Sequence, residues 1–308
     1  MGTRAVLRLI GPTIIGMAAY QLNDLVSTAL AGNVGEGVVS SLQYSLRLQE
    51  LILGVFAVSI GTVLLPELSE HAKARNWLMY NKRLTSAIDI IALITIPVTI
   101  FSLIESEKIV RLLFQSRLFD DDSVRLTTQA FFFHITGLFF IALNRILAPA
   151  FYAQSDSKSP TIAGVASFVV NMALAALLSG PLKGAGIALA LSIAGAANTL
   201  LLFFFFKRIA HINLKAMLIN SLRYLIRMVI FSCIAAVPLM LLDKYINKIF
   251  TSISIAHIGS SRLITVAAPL VVSLLIFSTI GIALLFITGD GNLKSVLSIF
   301  GRKLKKHN

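Results

Sequence analysis

Arg47 and Glu50 stand one helical turn apart inside an apolar stretch, Ser41 to Leu65, that is long enough to cross a bilayer as a helix. A charge at that depth costs about 2.5–3.5 kcal/mol on insertion scales, so such a residue is usually kept because it faces a wet cavity or a partner. Residues three or four apart share a helical face, which sets Gln43, Arg47 and Glu50 in one stripe. Two chemistries fit that stripe. It either lines a polar cavity that takes a ligand, or pairs its ions to lock two helices together.

Other apolar stretches carry polar residues at depth as well. They are Gln21, Asn23 and Asp24 in the first, Gln49 in the second, Asn144 and Arg145 in the fourth, and Asn171 in the fifth. Arg145 taken alone is as well explained by a structural role as by a ligand. Pro149, just beyond it, is expected to kink its helix. No constellation for catalysis is present, and the chain is not expected to be an enzyme. The five histidines are not at metal-ligand spacing, and neither a phosphate-binding glycine loop nor a nucleophile elbow occurs. His134 is expected to be a hydrogen-bonded span residue. The single Cys233 excludes a disulfide framework or a cysteine metal site within one chain.

The elements that position these residues follow from composition. The chain is 56% hydrophobic and 13% charged, with a mean hydropathy of +0.85, whereas soluble domains carry about 25% charged residues. An all-α polytopic membrane protein is the expected fold class. Eight spans are predicted: Ala5–Ala31, Ser41–Leu65, Leu84–Leu103, Thr127–Ala153, Thr161–Ser179, Gly184–Phe206, Tyr224–Leu242 and Leu263–Ile287. Pro66 is expected to close the second, Pro160 to open the fifth, and Gly180-Pro181 to separate the fifth from the sixth. Glycines 54, 61, 184 and 186 are expected to let helices approach closely.

The net charge of +13 lies in short loops between apolar blocks rather than on one soluble face, which argues against nucleic acid. With the N-terminus in the cytoplasm, seventeen of the 27 Lys and Arg fall on that side and eight on the other, so both termini are expected there. Trp77 and Tyr80, in the polar loop from Glu67 to Arg83, are placed like interfacial anchors. Glu105 to Arg125 is expected to form a short amphipathic surface helix and then a helix cap at Asp120-Asp121-Asp122; the alternative for that acidic run is a cation site. The tail from Lys294 to Asn308 is a basic segment suited to anionic lipid heads.

Three segments carry a resemblance: QYSLRL from Gln43 to Leu48, GVFAVSIGTVLLPELS from Gly54 to Ser69, and RILAPAFYAQSDSKSP from Arg145 to Pro160. Together they resemble the MurJ/MviN family of lipid II flippases, within the multidrug/oligosaccharidyl-lipid/polysaccharide exporter superfamily. Weaker matches are QLN at Gln21–Asn23 and PLKGAGIALALS at Pro181–Ser192. The resemblance implies two six-helix lobes around a central cavity, with two extra C-terminal helices. Residues 1–210 would correspond to the second lobe, and 211–308 to the two extra helices and basic tail; the first lobe has no counterpart in these 308 residues.

The resemblance further implies a substrate-binding set of Arg47, Glu50, Gln43 and Arg145, with Arg47 gripping the diphosphate of a lipid-linked cell-wall precursor. A planar guanidinium suits that task because it meets phosphate oxygens two at a time. Leu46 departs from the polar residue that many members have before this arginine. Some members hold a sodium ion, for which Asp24 and Asn171 would be ligands, although Ala175 stands where an acidic ligand is expected one turn on. No other cofactor is implied. Partners would be the lipid-linked substrate, membrane lipids, and either a separate first-lobe chain or a second copy. The alternatives are a drug/cation or polysaccharide exporter of the same superfamily, and a non-transporting scaffold or partner subunit. A cationic cleft favours the flippase over the drug exporter.

Overall fold

The computed structural model describes residues 14, 21–256 and 263–293. Most of the first predicted span, the basic tail, His257 and His307 lie outside the described residues. Those described are helical throughout, without a strand: α1 (21–32), α2 (Val38–Lys73), α3 (Trp77–Ile104), α4 (Ser106–Phe114), α5 (Asp121–Thr136), α6 (Leu138–Tyr152), α7 (Lys158–Phe206), α8 (Leu214–Ala256) and α9 (Ala268–Ile287), the last preceded by a π turn at Leu263–Ala267. Trp77–Ile104, Lys158–Phe206, Leu214–Ser252 and Ile264–Ile287 are each long and apolar enough to cross a membrane, and α5 with α6 makes a fifth span bent by 46°. The protein is an all-α polytopic membrane protein.

The 49 residues of α7 would run about 70 Å if straight, more than twice a hydrocarbon core. The chain instead reverses at Lys183, where φ is 52° and ψ −136°. The two arms pack antiparallel: the Ser167 hydroxyl donates to the Ala194 carbonyl at 2.7 Å, and Gly186 lies directly against the Leu178 carbonyl. Spans five and six are therefore the arms of one hairpin, divided where Gly180-Pro181 predicts.

α2 lies centrally, packed on α3, α5, α6 and α7, while α8 rests on α3 and α9 on α8. The main core gathers Leu68, Leu84, Ile91, Phe131, Leu138, Phe151 and Phe206. A smaller one, with Ala31, Val38, Leu42, Ala130, Ala175 and Ile187, seats α1 against α2, α5 and α7. Phe101, Ala235, Leu239 and Phe277 join α3 to α8 and α9.

Several expectations are corrected. Pro66 lies inside α2, which continues to Lys73. The fourth span bends by 46° at Gly137, between α5 and α6, a break the sequence did not indicate; Pro149 lies inside α6. Tyr80 is fully buried, its hydroxyl donating to the Ala150 carbonyl at 2.5 Å and accepting from Gln154 Nε2 at 2.9 Å, so it is no interfacial anchor. Its neighbour Trp77 stacks on His211 with ring centroids 4.5 Å apart. Gly184 meets Val38 and Gly186 meets Leu178, as close packing requires, but Gly54 faces open space; the surroundings of Gly61 are not among those described. The surface segment forms as expected. Asp120 caps α5 by accepting from the Ser123 amide at 2.9 Å, and those hydrogen bonds hold its carboxyl below the usual carboxylate range.

A methyl group at residue 186 would collide with backbone, which cannot rotate away. Gly186→Ala is expected to cost about 1–3 kcal/mol through overpacking, read as a lower unfolding midpoint in detergent, while Gly54→Ala leaves the midpoint unchanged or slightly raised.

Candidate functional site

The site rests on a broken helix. Between α5 and α6 the helical ladder is interrupted, so carbonyls near Gly137 lose their usual partners. Neighbouring side chains replace them. Ser192 on the second arm of α7 donates to the Phe133 carbonyl at 2.6 Å, and Gln49 Nε2 on α2 donates to the His134 carbonyl. Gly137 is required by this approach, since a Cβ there would lie 2.5 Å from the Ser192 hydroxyl oxygen. One turn before Gln49, the Ser45 hydroxyl meets His134 Nδ1 at 2.5 Å. Ser45, Gln49 and His134 are all buried, and His134 is the hydrogen-bonded span residue that the sequence indicates.

With Ser45 and Gln49 held inward, the opposite side of α2 is turned out. Arg47 and Glu50 form an ion pair at 3.1 Å, with 73% and 40% of their side chains exposed. The pair is made within α2, so it does not lock two helices together. Beside it lies a cleft of about 280 Å³, lined from α1 by Asp24, Ser27 and Thr28, from α2 by Gln43, Arg47 and Glu50, and by His134, Ile187 and Leu191. Gln43 Nε2 reaches Asp24 Oδ1 across it at 3.5 Å. The structure thus brings Gln43, Arg47, Glu50 and Asp24 to one cleft.

The other predicted residues fall elsewhere. Arg145 is half-buried on α6 and does not line the cleft. Its neighbour Asn144 is structural, donating to the Gly195 carbonyl at 2.9 Å and accepting from Thr199 at 2.8 Å. Asn171, 1% exposed, donates from Nδ2 to Asn23 Oδ1 at 2.6 Å and lies 3.4 Å from Ser27 Oγ. Its Oδ1 is buried without a hydrogen-bond partner. Asp24, one residue from Asn23, makes its contact with Gln43 instead. Among the described residues no group of three His, Cys, Asp or Glu side chains could hold a metal ion. The expectation of a cationic cleft is not met, because Asp24 and Glu50 outweigh Arg47 among the lining residues.

Two polar clusters escaped the sequence reading. Asp89 in α3 accepts from the Ser221 hydroxyl at 2.9 Å, close to a group in which Asp290 accepts from Tyr224 at 3.2 Å and pairs with Arg227 at 3.5 Å. A lone carboxylate in the third span was a signal that could have found it. At the far end of α3, Lys108 bridges Glu105, at 2.9 Å, and Asp243 on α8. These two carboxylates keep the Lys108 ammonium charged against the cost of burial and raise its pKa. The segment RILAPAFYAQSDSKSP runs from the end of α6 through a turn into α7: Asp156 Oδ1 accepts from the Lys158 and Ser159 amides at 3.0 Å, opening α7, and Gln154 holds Tyr80.

This helical bundle, with a broken span and a polar cleft beside its exposed ion pair, shares its fold with solved transporters of the MOP superfamily. An outward-facing multidrug resistance MATE family transporter of the MOP superfamily superposes with a TM-score of 0.59 at 17% identity, over 96% of this chain and 66% of that one. A lipid II flippase MurJ in an inward closed conformation superposes at 0.71 with 23% identity, over 97% and 54%. The family model for lipid II flippase MurJ matches residues 1–260, and the chain belongs to that family. The probable lipid II flippase MurJ of Treponema pallidum (strain Nichols) is 44% identical over 289 residues, 94% of this chain and 54% of the relative. That of Rhizobium meliloti (strain 1021) is 34% identical over 200 residues, 65% and 37%. The chain spans about half the length of the curated relatives it matches, or less.

Gln49→Leu removes a donor from the His134 carbonyl and leaves it with the Gly137 amide at 3.2 Å and Ser192 at 3.4 Å. It is expected to destabilise the bundle by about 0.5–1.5 kcal/mol, the net worth of one hydrogen bond. Gln43→Leu, on the open side, should change the unfolding midpoint little.

Proposed function

We propose that this chain is the second-lobe part of a lipid II flippase, carrying a lipid-linked peptidoglycan precursor across the cytoplasmic membrane as a transporter and not as an enzyme. The observation that carries this reading is an exposed guanidinium, Arg47, lining a polar cleft of a chain whose residues 1–260 match the family. Arg47 offers a planar fork to the substrate diphosphate. Gln43 and Glu50 flank it, and Glu50 must release it for phosphate to bind. Arg145 would contribute from α6 only if the lobe rearranged. The face completes its cavity against a first lobe, supplied by a longer chain, a separate chain or a second copy. The lobes then rock about the shared site, driven by membrane potential or an ion gradient. Both termini lie in the cytoplasm on this reading, following the loop charges.

A sodium ion at Asp24 and Asn171 is part of the same proposal. Asn171 Oδ1 is a buried oxygen without a donor, with Asn23 and Ser27 oxygens nearby, and a hard cation suits such ligands. Asp24 would have to turn from Gln43 to join them. A second reading, an exporter of cationic drugs, draws support from the acidic excess in the cleft. Binding separates the two readings. Arg47→Ala should abolish binding of a polyprenyl-diphosphate precursor and Arg47→Lys weaken it, whereas a cationic-drug site would bind its ligand undiminished when that arginine is removed.

The purified chain alone, reconstituted in vesicles with labelled lipid II, is expected to insert and to give no protein-dependent translocation, because alternating access needs two bundles moving about one site. Translocation by a demonstrated monomer would show that a first lobe is dispensable.

A further inference from the structure

One turn before Arg47, on the flank away from the cleft, lies Tyr44. The residue is 40% exposed, although its ring packs against two other aromatics. Phe114 lies 4.8 Å away between centroids, tilted by 47°, and Phe119 5.2 Å away, edge-on at 84°. Phe114 and Phe119 are themselves 5.9 Å apart and pack on the edge of the main core. The three rings come from α2, from the end of α4 and from the segment leading into α5. Phe114 and Phe119 thus buttress Tyr44 from behind and fix its orientation. Tyr80, the tyrosine whose role is packing, is wholly buried. Tyr44 instead keeps an open surface beside an exposed guanidinium.

We infer that Tyr44, held by Phe114 and Phe119, is a stacking platform for the sugar joined directly to the diphosphate that Arg47 binds. This rests on the flippase reading and deepens it. Residues three apart on a helix have Cβ atoms about 5–6 Å apart, comparable to the step from a phosphate to the pyranose ring it is bonded to. Diphosphate at Arg47 therefore leaves the first sugar within reach of Tyr44, about 4.5 Å nearer the Val38 end of α2. The C–H face of a pyranose carries partial positive charge and the aromatic face partial negative charge, so the two attract in a site with little water. The tyrosine hydroxyl adds a group that can donate to or accept from a sugar hydroxyl. The specificity that follows is for glycosylated over bare polyprenyl diphosphates.

The test is binding to the full chain in nanodiscs of two probes: a polyprenyl diphosphate, and the same lipid bearing one N-acetylhexosamine on its diphosphate. Wild type is expected to prefer the sugar-bearing probe by about tenfold, the scale of one aromatic stack. Tyr44→Ala should lose that preference and keep its affinity for the bare lipid, which also reports that the variant is folded. Tyr44→Trp should keep the preference, and Arg47→Ala should abolish binding of both probes together. Equal binding of the two probes by wild type, or an equal loss of both in Tyr44→Ala as for an interfacial anchor, would overturn the platform and leave the diphosphate reading standing. Failure of wild type to bind either probe would overturn both.

Discussion

Inside a bilayer every backbone carbonyl must find a donor within the protein, and the break at Gly137 is where this protein must meet that demand without a helix. Ser192 and Gln49 reach in from two other helices to supply the hydrogen bonds, and Ser45 holds the imidazole of His134 between them. Three spans are thereby joined at a single point. Because Ser45 and Gln49 sit on α2 four residues apart, the rotation of α2 about its own axis is set at the same time. That rotation turns Arg47 outward. The exposed ion pair is thus a consequence of where unsatisfied carbonyls lie on a different helix.

The remaining polar contacts repeat the principle at lower stakes. Asn144 closes onto the Gly195 carbonyl, Ser167 onto the Ala194 carbonyl, and Asn171 onto Asn23. Each ties a helix to a neighbour through a short polar side chain, in a bundle whose apolar surface gives no preference for protein over lipid. Small residues make the approach feasible, with Gly137 against Ser192 and Gly186 against Leu178. The last two helices are held differently. They join α3 through an apolar seam at Phe101, Leu239 and Phe277, with charged groups at either end: Glu105, Lys108 and Asp243 at one, Asp89, Arg227 and Asp290 at the other.

The face left by this arrangement carries charge beside a polar cleft. A guanidinium and a carboxylate are paired with each other within α2, and 73% of the Arg47 side chain and 40% of the Glu50 side chain stay exposed. The cleft beside them holds more negative than positive lining charge.

How much of this was legible in the sequence differs from residue to residue. Hydropathy alone determined the helical class and the division of α7, because hydrocarbon thickness limits a span and Gly180-Pro181 interrupts one that is too long. Local spacing alone determined that Gln43, Arg47 and Glu50 share a face, and that Asp120 opens a helix. Local spacing could not determine which way that face points, since Ser45 and Gln49 are as polar as Gln43 and lie on the other side. Nor could it show that the fourth span breaks at Gly137, that Tyr80 is buried, or that Asp24 turns toward Gln43 rather than Asn171. Those outcomes depend on groups 19 to 89 residues apart along the chain, such as Gln43 with Asp24 and Ser45 with His134. Only packing brings them into contact, and the demand for hydrogen-bond partners in a medium that offers none decides among the contacts.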